Sequence, residues 1–293
     1  MKTKTKLPET NQIKVLGWIL ILVSILYNVL YISINYNNSR PYDLFGDIST
    51  NWIPGLFSIG FTILVIDTLY EKQRERQQKQ SLILQMGSPD NGFAIEAVRQ
   101  LRVKGWLFDG SLRNADLRDA NLDKADLSYA DLQGAKLAGV NLKSAVLDNC
   151  NLAKAYLVVS DFRNAQITTV NFKGANLSNS KFQGATIFDV EFSETDLTFC
   201  NFKGVFGFVN QLDFLSPDPI RVAKALRGAI LPNGKIYMGN YKLPGDIAEA
   251  KALNIETNNK SAMQRFYRKG PISLHADEIE IRKSWADEHT TKT

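Results

Sequence analysis

Histidine and cysteine are nearly missing from this chain. Its 293 residues include two histidines, His275 and His289, both close to the C-terminal end, and two cysteines, Cys150 and Cys200. That inventory cannot assemble a His-centred nucleophilic site or a His/Cys metal cluster in the body of the protein. The cysteines read as buried small residues in a reducing compartment, neither a disulfide nor a ligand pair. No Gly-Lys-Ser/Thr phosphate loop and no G-x-G-x-x-G occur. The expectation is therefore no catalytic residue, no cofactor and no metal, hence not an enzyme. Charge is missing from two stretches, residues 15–34 and 48–66.

What is abundant is a motif of five. It is plainest at Ala115-Asp116-Leu117-Arg118-Asp119, Ala120-Asn121-Leu122-Asp123-Lys124 and Ala125-Asp126-Leu127-Ser128-Tyr129, and it runs through 105–204. Centred on the large apolar residue, the pentads extend from Leu107 to Phe202, and every centre is Leu, Phe or Ile. A fixed period is the mark of a solenoid. In an extended segment the centre and the residue two before it share a face. That earlier residue is small, as at Ala115, Cys150, Ser160 and Ala175, so one large and one small side chain point inward. The last pentad position often holds Gly or Asn, which relieve the steric cost of a turn.

These pentads resemble the pentapeptide-repeat family, whose A-[D/N]-L-x-x motif they match. The resemblance implies a mainly β fold, a right-handed, four-sided β-helix with four pentads per coil and about five coils. Sorting centres by twenty supports four sides independently: Leu117, Leu137, Leu157, Leu177 and Leu197 fall in one column, and Phe162, Phe182 and Phe202 fall together in another. Some members of the family imitate DNA and engage topoisomerases, which requires a strongly negative rod. Residues 105–204 hold twelve acidic and ten basic residues, a net charge of −2. That charge argues against DNA mimicry, kept only as a minor alternative.

The uncharged stretch 15–34 is long enough, at about 1.5 Å per residue, to span the roughly 30 Å hydrocarbon core. Thirteen of its residues are Val, Leu or Ile. The chain is thus expected to open with a cytoplasmic N-terminus (1–14), a transmembrane helix (15–34), a short non-cytoplasmic loop (35–47) and a second transmembrane helix (48–70). Lys2, Lys4, Lys6 and Lys14 precede the first span, and Lys72, Arg74, Arg76 and Lys79 follow the second, so both termini are expected to be cytoplasmic. Those last four are also candidate lipid-headgroup contacts. Asp67 is expected to reach the membrane interface.

Beyond the hairpin the expected order is a juxtamembrane helix (71–86), an N-terminal cap helix (87–104), the β-helix (105–206), a C-terminal cap with a hairpin and short helices (207–270) and a charged tail (271–293). The repeat is expected to stop at Val205, with a helix starting near Ser216-Pro217-Asp218 and running through Val222 and Leu226, then a hairpin at Asn233-Gly234. Ala138, Tyr156, Val158, Val159 and Phe199 read as apolar groups on one outer side, a candidate protein interface unless the C-terminal segment covers them. Lys124, Lys143, Arg163, Lys181 and Lys203 mark another side, which reads as a solvated face and not as a nucleic-acid track. The function expected is a non-enzymatic membrane-tethered scaffold whose partners are the bilayer and a protein. The alternative is an accessory or sensing subunit of a transport assembly, with the hairpin driving homo-oligomerisation.

Overall fold

Residues twenty apart hydrogen-bond side by side along most of the repeat. The structure, a computed structural model, describes residues 10–37, 53–207 and 219–268. In it the Leu117 amide donates to the Lys136 carbonyl (2.8 Å) and the Lys136 amide to the Ala115 carbonyl (2.9 Å). Parallel bridges then climb one column as Asp116, Lys136, Tyr156, Asn176 and Asp196. Three short strands, β1 (Val146–Asp148), β2 (Gln166–Thr168) and β3 (Thr186–Phe188), form a parallel sheet with the same twenty-residue register. Four pentads therefore make one turn.

The interior follows from the alternation of side chains along each extended side. Leu117, Leu137, Leu157, Leu177 and Leu197 are all buried, as are Ala120, Ala125 and Ala145. Phe162, Phe182 and Phe202 form a single pile, with centroids 4.7 Å and 4.9 Å apart and planes within 3° and 16°. Phe172 and Phe192 pile up likewise at 5.5 Å. Where the small inward residue is polar, it bonds to the turn below. The hydroxyls of Ser160, Ser180 and Thr195 donate to the carbonyls of Leu137, Leu157 and Phe172, each 23 residues earlier. The Cys150 and Cys200 thiols make the same bond to Leu127 and Leu177. Burial pushes the Cys150 thiol up to about 12, so it stays protonated and inert.

Where the residue before the centre is Asp or Asn, its side chain holds the corner. The side-chain oxygens of Asp126, Asn141, Asn151, Asp161 and Asn176 accept from the backbone amide two residues on. Either Asp or Asn supplies that oxygen, which is why the sequence alternates them freely. The fifth pentad residue sits at positive φ throughout, at Asn114, Gly134, Lys154 and Gly174 on one corner.

Both ends of the solenoid are closed. Helix α3 (Asn91–Val103) is capped by Asp90, whose carboxylate accepts the Phe93 amide. It buries Ala94, Ala97, Val98 and Leu101 in the same cluster as Leu107, Leu112 and Leu117. Open-ended strands carry unmatched backbone groups, and this cap meets them directly. Asn91 Nδ2 donates to the carbonyls of Asn121 and Asp123, and the Ser88 carbonyl accepts the Asn121 amide. The first two pentads bury their leucines but lie off the regular ladder, since the Asp131 amide bonds to the Leu107 carbonyl.

The far end departs from the sequence expectation. The Ser216-Pro217-Asp218 start lies outside the described residues, and only a 3-10 turn at Pro219–Val222 follows it. The chain then rejoins the ladder: Ala225 pairs with Asp196 and Ile230 with Asn201. Leu226 and Leu231 thus stand over Leu197 and Phe202 at an offset of 29 residues, not twenty. Repeat packing resumes because Leu226 and Ala229 are apolar at the inward positions and become fully buried. An antiparallel bridge, Ile230 to Ile236, closes the turn at Asn233-Gly234. Two helices follow, α4 (Pro244–Ala252) and α5 (Lys260–Arg268).

Asp246 completes this closure. Its Oδ1 accepts the amides of Leu226 (3.0 Å) and Arg227 (2.9 Å). One turn down, the Leu197 and Phe199 amides donate to backbone carbonyls of the next turn. A carboxylate twenty residues after Leu226 therefore stands in for a turn that is not there.

The chain divides into two units, up to Gln78 and from Lys79 onward. The first contains α1 (Thr10–Asn37) and most of α2 (Ile53–Met86). The stretch Pro54–Met86 is long and apolar enough to cross a membrane, and Lys14–Leu30 is a shorter apolar stretch. Residues 38–52 lie outside the described residues, and of the expected loop 35–47 only residues 35–37 are described, as the end of α1. Inside the unit, Gly17 and Gly60 let the two backbones approach: a Cβ on Gly60 would lie 2.9 Å from the Gly17 carbonyl oxygen. Lys14 Nζ binds Glu71 at 2.6 Å and lies 3.8 Å from Asp67. Asp67 is buried beside Lys14.

Candidate protein interface

A rod built this way presents outer columns at fixed spacing, about 4.8 Å per level. The column Lys136, Tyr156, Asn176 borders the corner that carries Asn114, Gly134, Lys154 and Gly174. Between them runs a groove of about 560 Å³, lined by Arg113, Gly134, Lys136, Lys154, Tyr156 and Gly174 among others. Gly134 leaves room there for the Asn114 side chain, whose Oδ1 lies 2.3 Å from where a Cβ would stand.

The five residues expected on the apolar side do not share one fate. Tyr156 is half-buried on the groove wall, and Val159 is partly exposed on the corner at φ 61°. Ala138 and Val158 are each only 3% exposed and present no surface. They occupy one column with Ser178, so small side chains cover one another from level to level. Phe199 lies under the C-terminal segment. Arg227 stands 5.3 Å over its ring, and the ring reaches within 2.2 Å of where a Cβ on Gly228 would be. The cover by the C-terminal segment, the alternative left open by the sequence, therefore holds at Phe199, and the longer last turn sets which residues supply it.

The basic residues also separate on inspection. Lys72, Arg74 and Arg76 are exposed, whereas Lys79 bonds Asp109 at 2.9 Å and stands over Trp106. On the other basic side Asp161 sits between Lys143 (3.5 Å) and Arg163 (2.7 Å), and those guanidinium and backbone bonds hold its carboxyl below the usual range against the effect of burial. Asp161 thus offsets part of the positive charge on that face. Among the described residues no group of three His, Cys, Asp or Glu is placed to hold a metal ion.

A stacked-pentad solenoid with helical and carboxylate closures defines the class, and comparison with known proteins agrees. The family model described as Pentapeptide repeats matches in eight copies over residues 111–143, 135–174, 145–184 and 171–206. Residues 111–206 are pentapeptide repeats. Among solved structures, a pentapeptide-repeat protein from the Arabidopsis thaliana thylakoid lumen is 27% identical, with 32% of this chain and 66% of that one covered and a TM-score of 0.32. Pentapeptide-repeat proteins from the cyanobacteria Cyanothece 51142 and Nostoc PCC 7120 are 29% and 25% identical, cover 31% and 41% of this chain, and both give a TM-score of 0.20. The chain spans about two thirds of the Arabidopsis protein, 52% of the Cyanothece protein and 89% of the Nostoc protein. No curated protein matches the chain.

Proposed function

We propose that this protein is a non-enzymatic, membrane-tethered scaffold, in which α1 and α2 anchor a rigid pentapeptide-repeat solenoid that offers the Tyr156 groove to a protein partner. The observation that carries the reading is the exposure of one apolar side chain after another on both helices of the first unit. Trp18, Leu22, Leu26 and Leu30 on α1 and Phe57, Phe61, Val65 and Leu69 on α2 are all exposed. Such a surface is unfavourable in water at roughly 25 cal/mol per Å² and favourable in hydrocarbon. Both helices cross the bilayer in this reading, and the basic flanks place both termini in the cytoplasm. Lys72, Arg74 and Arg76 sit at lipid headgroups. Lys79, already paired with Asp109, adds little there.

The groove, more than the flat sides, is the partner site. It presents the half-buried Tyr156 ring, and the partly exposed Val159 stands outside it on the next corner. The variant Tyr156→Ala with Val159→Asp is expected to fold with an unchanged melting temperature and to lose a partner that crosslinks to the wild-type protein in membranes. An identical set of crosslinked proteins for variant and wild type would sink the assignment. Topoisomerase modulation by DNA mimicry finds no support in a rod of net charge −2.

A further inference from the structure

The cap beyond the last turn carries a half-open pocket that the scaffold role leaves unused. It measures about 750 Å³ and lies among the segment after Tyr237, α4 and α5. Three lysines, Lys242, Lys251 and Lys260, line it, and among the described residues no carboxylate does. Among the described residues none of the three forms an ion pair. Neutral hydrogen-bonding groups such as Asn258 stand beside them, and Met263 and Tyr267 supply an apolar wall.

That wall is held in place. Tyr267 is 2% exposed, meets Tyr237 edge to face at 5.4 Å, and fills the space where a Cβ on Gly239 would go. Lys242 adopts φ 51°, an unfavourable conformation for a residue with a side chain, at the rim of the same cavity. A concave site of this volume with an apolar wall and a few convergent polar groups is the ordinary form of a small-molecule site. Three exposed ammonium groups converging on one pocket, with no ion pair among the described residues, suit a multiply charged anion with several acceptor oxygens.

We propose that this cavity binds an organic phosphate of about nucleotide size, its phosphate among Lys242, Lys251 and Lys260 and its body against Met263 and Tyr267. The phosphate comes either from a soluble metabolite or from a lipid headgroup, and both sources share the same chemistry. The test uses the full chain in detergent micelles and isothermal titration with two probes, ADP and dihexanoyl phosphatidic acid, with dihexanoyl phosphatidylcholine as the zwitterionic control of zero net charge. Saturable binding of at least one phosphate probe is expected, weakened about tenfold or more in Lys251→Gln with Lys260→Gln while the melting temperature stays unchanged. ADP binding alone identifies a soluble source, and phosphatidic acid alone a lipid one. The proposal is overturned if neither probe binds saturably, or if the double variant binds as well as the wild type. The membrane and partner assignments do not depend on this outcome, since Tyr156 and the helices of the first unit are untouched.

Discussion

Phe182→Ala lowers the unfolding free energy by about 3–5 kcal/mol, the largest effect expected of any single truncation in this protein. Phe182 is fully buried between two parallel rings, Phe162 at 4.7 Å below and Phe202 at 4.9 Å above. Removing it takes away the middle of the pile and strands the faces of both neighbours. Each stacked pair contributes about 0.5–1.5 kcal/mol beyond the area it buries, so losing two pairs adds to the cost of the cavity itself. In a solenoid each repeat is stabilised chiefly by its neighbours. The melt of the variant should therefore broaden or split as the turns on either side uncouple. Circular dichroism against temperature checks this, with Lys181→Ala as a control expected to stay within about 0.5 kcal/mol. Equal melting temperatures for the two variants would mean that the rings do not form a structural pile.

Asp246 is the second position where a large effect is expected, and the sign depends on the replacement and on pH. Its carboxyl is fully buried, and burial, outweighing the two amide hydrogen bonds, raises it to about 6 from an ordinary 3.8. The folded chain then keeps a proton between about pH 4 and 6 that the unfolded chain has given up. The stability this group supplies is present below the ordinary carboxylate pKa and is lost as pH rises through about 6, a swing of about 3 kcal/mol. Carboxylates such as Asp116 and Asp161, held low by neighbouring arginines, act in the opposite direction. A difference between variants isolates Asp246 from them. Asp246→Asn keeps a neutral acceptor for Leu226 and Arg227, so it gains on the wild type steadily from pH 4 to 7. Asp246→Ala leaves two buried amides unmatched and loses about 2–5 kcal/mol. Urea titrations at pH 4, 5, 6 and 7 measure both, and parallel pH profiles for wild type and Asp246→Asn would refute the assignment.

The repeat was legible because its cause is local and periodic. A large apolar centre, a small residue two before it and an Asp or Asn between them prescribe one side and one corner, and the column of Phe162, Phe182 and Phe202 is visible by counting in twenties. Three things were not legible. The last turn holds 29 residues, so Leu226 and Leu231 fall out of the count although they obey the same packing rule. The Ala229-Ile230-Leu231 triplet was the signal that the pattern had resumed. Alternation along a strand says which side chains point outward but not which are covered, so Ala138, Val158 and Phe199 looked like surface. Long-range pairings such as Lys79 with Asp109, Lys14 with Glu71 and Asp246 with the Leu226 amide join elements with no shared period, and only coordinates reveal them.

The account rests on residues twenty apart lying side by side, and a crosslink tests that directly. Cysteines are placed at Asn151 and Asn171, paired in the ladder, in a background where Cys150 and Cys200 are serine, a residue that already fills the equivalent site at Ser160 and Ser180. Neighbouring parallel strands stand about 4.8 Å apart, within the usual disulfide span of about 4.4–6.8 Å. Oxidation should close this pair to a disulfide, seen by intact mass, and should leave a control pair at Asn151 and Asp161, on opposite sides of the turn, unlinked. Ready closure of the ten-residue pair with none at twenty would contradict the four-sided stack.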